Sequence, residues 1–442
     1  MNHFEISLRW MGSDNPDPIE RVCAADLRIQ AGQLCLTEIQ DLRAQTVRPT
    51  IRISAYRLAL WFAQNWWRLR WEPEQNDHDW LMSHNIAAAG GGYVWPDLSF
   101  IGDGESVLLR MRPGSPTQTE DIRYLVYSDT TVLIEHFVEA VDTFIDTVIA
   151  RLRASGYPDT RLEQLWNEIG LERNTPPNAK WRKLEALANL DPDASESGYL
   201  EQLYGRQEQV GTRAIEELVA AEKGQAPAAL THLLNGCRSA ATRLEKDTIN
   251  SMRLVATDHV RMMPLFAFPG CTKPLPWQLG YGIANIARKH WSLESGKISN
   301  FTLGELFGIP DKILDNTIET SSYSLSAGYR DSVSDGMSVW LGKRQRTGRR
   351  FALTRLVGDY LCSVEQEMLL PATESKTAQQ KFQRAFAQQF LCPVADLLEF
   401  LATDKPNDDQ IEEAASEFDV SPLLVRSTLV NHHVIGRETL RD

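Results

Sequence analysis

Cysteine is scarce in this chain of 442 residues. The six that occur, Cys23, Cys35, Cys237, Cys271, Cys362 and Cys392, stand far apart with no Cys-x-x-Cys pair and no His-x-Cys cluster. That spacing excludes a disulfide framework or a zinc knuckle and reads as reduced thiols. Long apolar runs are missing too: none approaches the ~18 residues of a membrane span, and Met1–Glu5 does not lead from a basic stretch into an apolar one. The expectation is a cytoplasmic protein with no membrane partner. Positive charge is in deficit, 46 basic against 59 acidic residues for a net charge of −13, so coating nucleic acid through bulk charge is excluded. The glycine-rich stretch Ala87–Gly92 lacks the Gly-Lys-Ser/Thr of a phosphate loop and reads as a turn.

What remains is an ordinary globular composition, 43% apolar and 24% charged, long enough for two or three domains that bury their own cores. The texture divides it as α+β for 1–155, helical for 156–265, and a third domain for 270–442. In the first, Phe4–Trp10 alternates as a half-buried strand does, and Thr50–Ile53 is similar. Leu58, Trp61, Phe62 and Trp66 share a helix face within Tyr56–Leu69. Asp97–Phe100 and Ser106–Met111, joined through Gly102-Asp103-Gly104, predict a hairpin. A further strand, Ile122–Tyr127, precedes a helix from about Thr131 to Leu152. The middle is rich in Ala and Leu, broken at Asn174-Thr175-Pro176-Pro177, Asp191-Pro192-Asp193 and Gly224-Gln225-Ala226-Pro227. Phe268-Pro269-Gly270, Pro274 and Pro276 mark entry to the third domain.

Three blocks in the C-terminal third carry the most information. Arg349-Arg350-Phe351 opens an amphipathic helix through Leu361. Phe386-Ala387-Gln388-Gln389-Phe390-Leu391-Cys392-Pro393 closes a second. Ala414–Ser421, with Val420-Ser421, then Val425 and Leu429–Asn431 form a helical tail. In this order the blocks resemble the ImmA/IrrE family of zinc metallopeptidase domains, which couple regulators of prophages and mobile elements to proteolysis of repressor proteins. The resemblance covers Pro276 to about Arg437, with Phe301–Ile309 as the helical lead-in. It implies a zincin-like fold, mostly helical with a small sheet.

The resemblance also implies that the catalytic centre is lost. An H-E-x-x-H helix places two zinc-binding histidines one turn apart, with a glutamate as general base. Those positions fall here on Arg355, Leu356 and Asp359. A guanidinium does not ligate a cation, a leucine takes no proton, and one carboxylate is a poor zinc site. The family's third ligand, a glutamate on the following helix, is also missing, because Thr377–Ala395 holds no Asp or Glu and the matching stretch reads Gln380-Lys381-Phe382-Gln383-Arg384. Arg355 and Asp359, at i and i+4, are placed to pair across one turn and fill the vacated space. The expectation is a pseudopeptidase with no metal, no cofactor and no catalytic residue in this domain, binding a protein partner in the bacterial setting of mobile-element regulation or phage defence.

Other candidates compete with blander readings. Lys343, Arg344, Arg346, Arg349 and Arg350 put five cations into eight residues, a possible contact for an anion, a nucleic acid or an acidic partner, or simply a solvated turn. The tail 411–435 has a helix-turn-helix outline, but Glu412, Glu413, Glu417 and Asp419 against Arg426 argue against DNA. His78 with Asp77, Asp79 and His84, and the pair His432-His433, are weak metal candidates. Asp97, Asp103, Glu105 and His84 are the residues of an alternative function, an enzyme whose activity lies in the N-terminal domain. Seven of twelve tryptophans lie before residue 96: Trp61 and Trp66 read as core, Trp67, Trp71 and Trp80 as exposed anchors.

Overall fold

The computed structural model describes residues 3–75, 77–112, 121–194, 197–240, 242–244, 246–266, 274–293, 295–310, 312–315, 324–331 and 336–440. It is a mixed architecture of helices and small antiparallel sheets, and it divides into two compact units, Met1–Ser197 and Gly198–Asp442. The helical middle expected at 156–265 is therefore shared between them. Its first two helices pack into the N-terminal core, where Leu162, Trp166 and Ile169 are buried. Phe268-Pro269-Gly270, named as part of a boundary, lies outside the described residues.

In the first unit, β1 (Phe4–Trp10) pairs antiparallel with β2 (Ala24–Ala31), which also pairs with β3 (Ile51–Ser54). The next helical stretch is two helices, α1 (Ala55–Gln64) and α2 (Trp66–Trp71), which meet at Asn65, whose side-chain amide and backbone N–H both donate to the Trp61 carbonyl. The expected hairpin is present as β4 (Asp97–Gly102) and β5 (Ser106–Arg112), joined by β6 (Ser128–Leu133). The region 122–133 divides into a short strand, Ile122–Tyr124, and β6, so the following helix α3 (Ile134–Ala154) starts later than its spacing predicts. The helices α4 (Arg161–Asn174) and α5 (Pro176–Leu187) break at Thr175, where Pro176 starts a new helix. Trp61 and Trp66 are core, as expected. Trp67 and Trp80 are buried as well, and Trp71 is half-buried, so these three tryptophans do not form an exposed anchor row.

In the second unit, α6 (Thr212–Glu222) and α7 (Ala226–Ser239) precede the short strand β7 (Arg243–Leu244) and the helices α8 (Lys246–Phe266) and α9 (Pro276–His290). β8 (Ser326–Asp331) and β9 (Gly336–Trp340) follow, then α10 (Arg346–Cys362), β10 (Leu369–Ala372) and α11 (Ala378–Leu391). The sheet order is β7-β9-β8-β10, all antiparallel. The tail is α12 (Val394–Leu401), α13 (Asp408–Phe418) and α14 (Pro422–Asn431). Two glycines let α11 sit close to its neighbours. A Cβ on Gly280 of α9 would lie 2.6 Å from the Phe382 carbonyl oxygen, and one on Gly358 of α10 would lie 2.5 Å from Phe386 Cδ1. Phe386 and Phe390 stack beneath that contact at the centre of the core.

Candidate functional site

The tight seating of α11 on α10 encloses a polar cluster in an otherwise apolar core. Arg355 and Asp359 lie one turn apart on α10 and are 2% and 1% exposed, with Leu356 fully buried among apolar side chains. From α11 come Gln379, Gln380, Gln383 and Arg384, from the segment after β10 come Thr373, Ser375 and Thr377, and from α6 come Arg213 and Glu217.

Arg355 and Asp359 form no ion pair with each other, contrary to the i, i+4 pairing their spacing predicts, because each is held by α11 or the 373 turn. An Arg355 terminal nitrogen donates to the Thr373 carbonyl at 2.6 Å and to Gln380 Oε1, which also accepts from the Thr373 backbone N–H at 2.9 Å. Asp359 accepts from Gln379 Nε2 and, at 2.8 Å, from Gln383 Nε2, with Arg213 at 3.7 Å. Gln380 and Gln383 each donate to the Pro371 carbonyl of β10, at 3.0 and 3.1 Å. A buried pair of side chains with these partners is a tether between secondary-structure elements. Two buried atoms, Gln383 Oε1 and Arg355 Nε, find no protein partner.

Glu217 was not singled out by the sequence, since nothing local marks it. Its carboxylate accepts from Ser375 Oγ at 3.1 Å and from Thr377 Oγ1 at 2.7 and 2.9 Å. Burial pushes its pKa up to about 7, against the lowering effect of the Thr377, Ser375 and Gln380 contacts. Asp359 is raised for the same reason, with Arg213 opposing. Burial, and then the nearby Arg384, hold Arg355 down to about 9. The cluster can exchange protons and hold polar groups. Arg355, Asp359, Gln380 and Gln383 are buried, while Gln379 and Arg384 are partly exposed at its edge, which leaves a macromolecular substrate no direct route to Arg355, Gln380 or Gln383.

The five cations at the start of α10 do not form one surface. Arg349 and Arg350 are 1% and 0% exposed. Arg349 donates to the carbonyls of Ile313, Leu341 and Lys343, and Arg350 to those of Ile298 and Asp419 and to Asn300 Oδ1. They pin the helix start to four stretches of chain, at residues 298–300, 313, 341–343 and 419, and are not available to an anion or partner. Lys343 pairs with Glu374 at 2.7 Å and Arg346 with Asp315 at 3.2 Å and Asp419 at 2.5 Å, and Arg344 is exposed with no ion pair among the described residues.

The remaining candidates serve local structure. His84 is buried with its ring stacked 4.2 Å from Trp80, and burial holds it down to about 4. Asp77 caps the short helix His78–His84 by accepting from the Trp80 N–H at 2.7 Å, and His78 is exposed. Asp103 organises the hairpin turn by accepting from the Glu105 and Ser106 N–H groups, and Asp97 accepts from Asn85. His432 and His433 are exposed at the end of α14. Arg426 pairs with Asp408 at 3.1 Å, so the cation of the candidate recognition helix is answered within the tail. Among the described residues no group of three or more His, Cys, Asp or Glu is placed to hold a metal ion, and no helix is long and apolar enough to cross a membrane. Comparison of the chain with protein-family models, with curated proteins and with solved structures found no match in any of the three.

Proposed function

We propose that the second unit is an ImmA/IrrE-like domain whose metal centre has been replaced by a polar tether, and that the protein acts in the cytoplasm as a non-catalytic regulator that binds a protein partner, in mobile-element control or phage defence. One observation supports this reading above the others. Arg355 and Asp359, the positions matching the two histidines of the family motif, face Gln380 and Gln383 on the next helix, the stretch that matches the family's third ligand. The same two-helix juxtaposition that would gather zinc ligands gathers amides, a guanidinium and a carboxylate. Its ionised groups carry opposite charges, and a cation placed among them would meet the Arg355 guanidinium at short range.

Elemental mass spectrometry of the purified full chain, dialysed without chelator, tests the proposal. Zinc below about a tenth of an equivalent is expected, since a structural or catalytic site would hold close to one. Zinc near one equivalent, or chelator-sensitive cleavage of a co-purifying protein, would overturn it.

A further inference from the structure

The sequence Trp66-Trp67-Arg68-Leu69-Arg70-Trp71 sets three tryptophans around one arginine on α2. Arg70 Cζ lies 5.4 Å from the Trp66 ring centroid, 6.0 Å from that of Trp67 and 5.5 Å from that of Trp71. Two further cations reach the same rings from other helices. Arg173 of α4 sits 4.7 Å from Trp66, and Lys183 of α5 sits 4.1 Å from Trp71.

The arginines of this region differ in one respect. Arg173 is answered by Asp142 at 2.9 Å. Arg68 is answered by Glu72 and Asp191, and Arg182 by Glu172, Glu185 and Asp193. Arg70 makes no hydrogen bond or ion pair among the described residues, and the Asp142 carboxylate that binds Arg173 acts on it only from a distance. Arg70 Nε is buried with no partner, and so are the indole N–H groups of Trp66 and Trp71. Three buried donors without acceptors on one short helix, Arg70 Nε and the Trp66 and Trp71 indoles, are the groups that a negative oxygen would satisfy. Arg70 is half-buried, so the guanidinium is shielded without being sealed. Cation–π contact alone explains the rings and leaves the donors unexplained.

We propose that Arg70 and its tryptophans form a binding site for a small oxyanion, a carboxylate or a phosphate, which the guanidinium fork grips. The site lies wholly in the first unit and is independent of the peptidase resemblance.

The test follows the indole ¹H–¹⁵N signals of the full chain during titration with sodium benzoate and, separately, sodium phosphate at constant ionic strength. Saturable movement of the Trp66 and Trp71 signals, assigned with Trp→Phe variants, is expected with at least one of the two, and which one responds distinguishes a planar from a tetrahedral ligand. Arg70→Met should abolish the response while leaving the ligand-free chain folded, because the cation it removes makes no ion pair among the described residues and the methionine chain still packs on the rings. Arg70→Lys, which keeps the charge and loses the fork, should weaken binding about tenfold or more and serves if the methionine variant does not fold. No saturable shift with either anion, or a response unchanged in both variants, would overturn the proposal.

Discussion

Glu217 gives the polar cluster a measurable pH signature. Its carboxyl titrates near 7 in the folded chain against an ordinary value of 4.5. Between those values the folded protein holds a proton that the unfolded chain has released, so the group favours folding below pH 4.5, and that contribution is lost as the pH rises through 7. At 1.36 kcal/mol per pKa unit the swing is about 3 kcal/mol. Glu217→Gln removes the titration and keeps one oxygen to accept from Thr377, while its amide nitrogen donates where the other oxygen accepted. The stability of the variant relative to the parent should therefore rise by about 3 kcal/mol from pH 4.5 to pH 8. Taking this difference cancels the common effects of acid, including those of Asp359, Arg355 and Arg384, which face the same space. Amide hydrogen exchange of peptides from α6 and α11, corrected for intrinsic rates, reads the opening free energy of this unit separately from the first. A difference that is flat within about 0.5 kcal/mol across this range, or that falls with pH, would refute the assignment of Glu217 as a buried carboxyl that is neutral in acid.

Asp359→Ala strands the Gln379 and Gln383 amides and should cost about 2–4 kcal/mol, read by the same exchange measurement on α10 and α11. Gly358→Ala would normally strengthen a helix by about 1 kcal/mol, but here its methyl meets buried Phe386, and a net loss of about 1–3 kcal/mol in chemical denaturation is expected. The fourfold variant Arg355→His, Leu356→Glu, Asp359→His, Gln383→Glu should bind about one equivalent of zinc by elemental mass spectrometry; a folded variant that binds none would remove the main support for the ancestry proposed.

The local layer of the fold was legible. Alternation located β1, two apolar runs joined through Gly102-Asp103-Gly104 located the β4–β5 hairpin, and the Pro and Gly breaks at Thr175 and Gly224 separate helices. The misreadings share a cause. Arg349 and Arg350 look solvated because charge usually is, yet backbone carbonyls from residues 298, 313, 341, 343 and 419 meet them in the interior. Trp67 looks like an anchor, yet Glu172, 105 residues away, accepts from its indole. Arg355 and Asp359 are correctly spaced to meet, but spacing along one helix does not reveal what the neighbouring helix offers. Glu217 reaches Ser375 and Thr377 across about 160 residues, and no local pattern encodes such a contact.

The polar cluster is costly as a source of net stability, since apolar residues of similar volume often match or exceed buried ionic groups. Its geometry points to a different physical role. Gln380 joins Arg355 to the Thr373 backbone, and Asp359 joins Gln379 to Gln383. These two brackets lie one turn apart on α10. Rotating α11 by one residue, about 100° of helical turn, would break both brackets and drive Phe386 off the Gly358 notch. Apolar side chains at the same positions would tolerate several such registers, whereas the amides and the carboxylate fit one. The cluster therefore specifies how α10 and α11 meet, which is the same requirement a metal centre would impose on two helices that share its ligands.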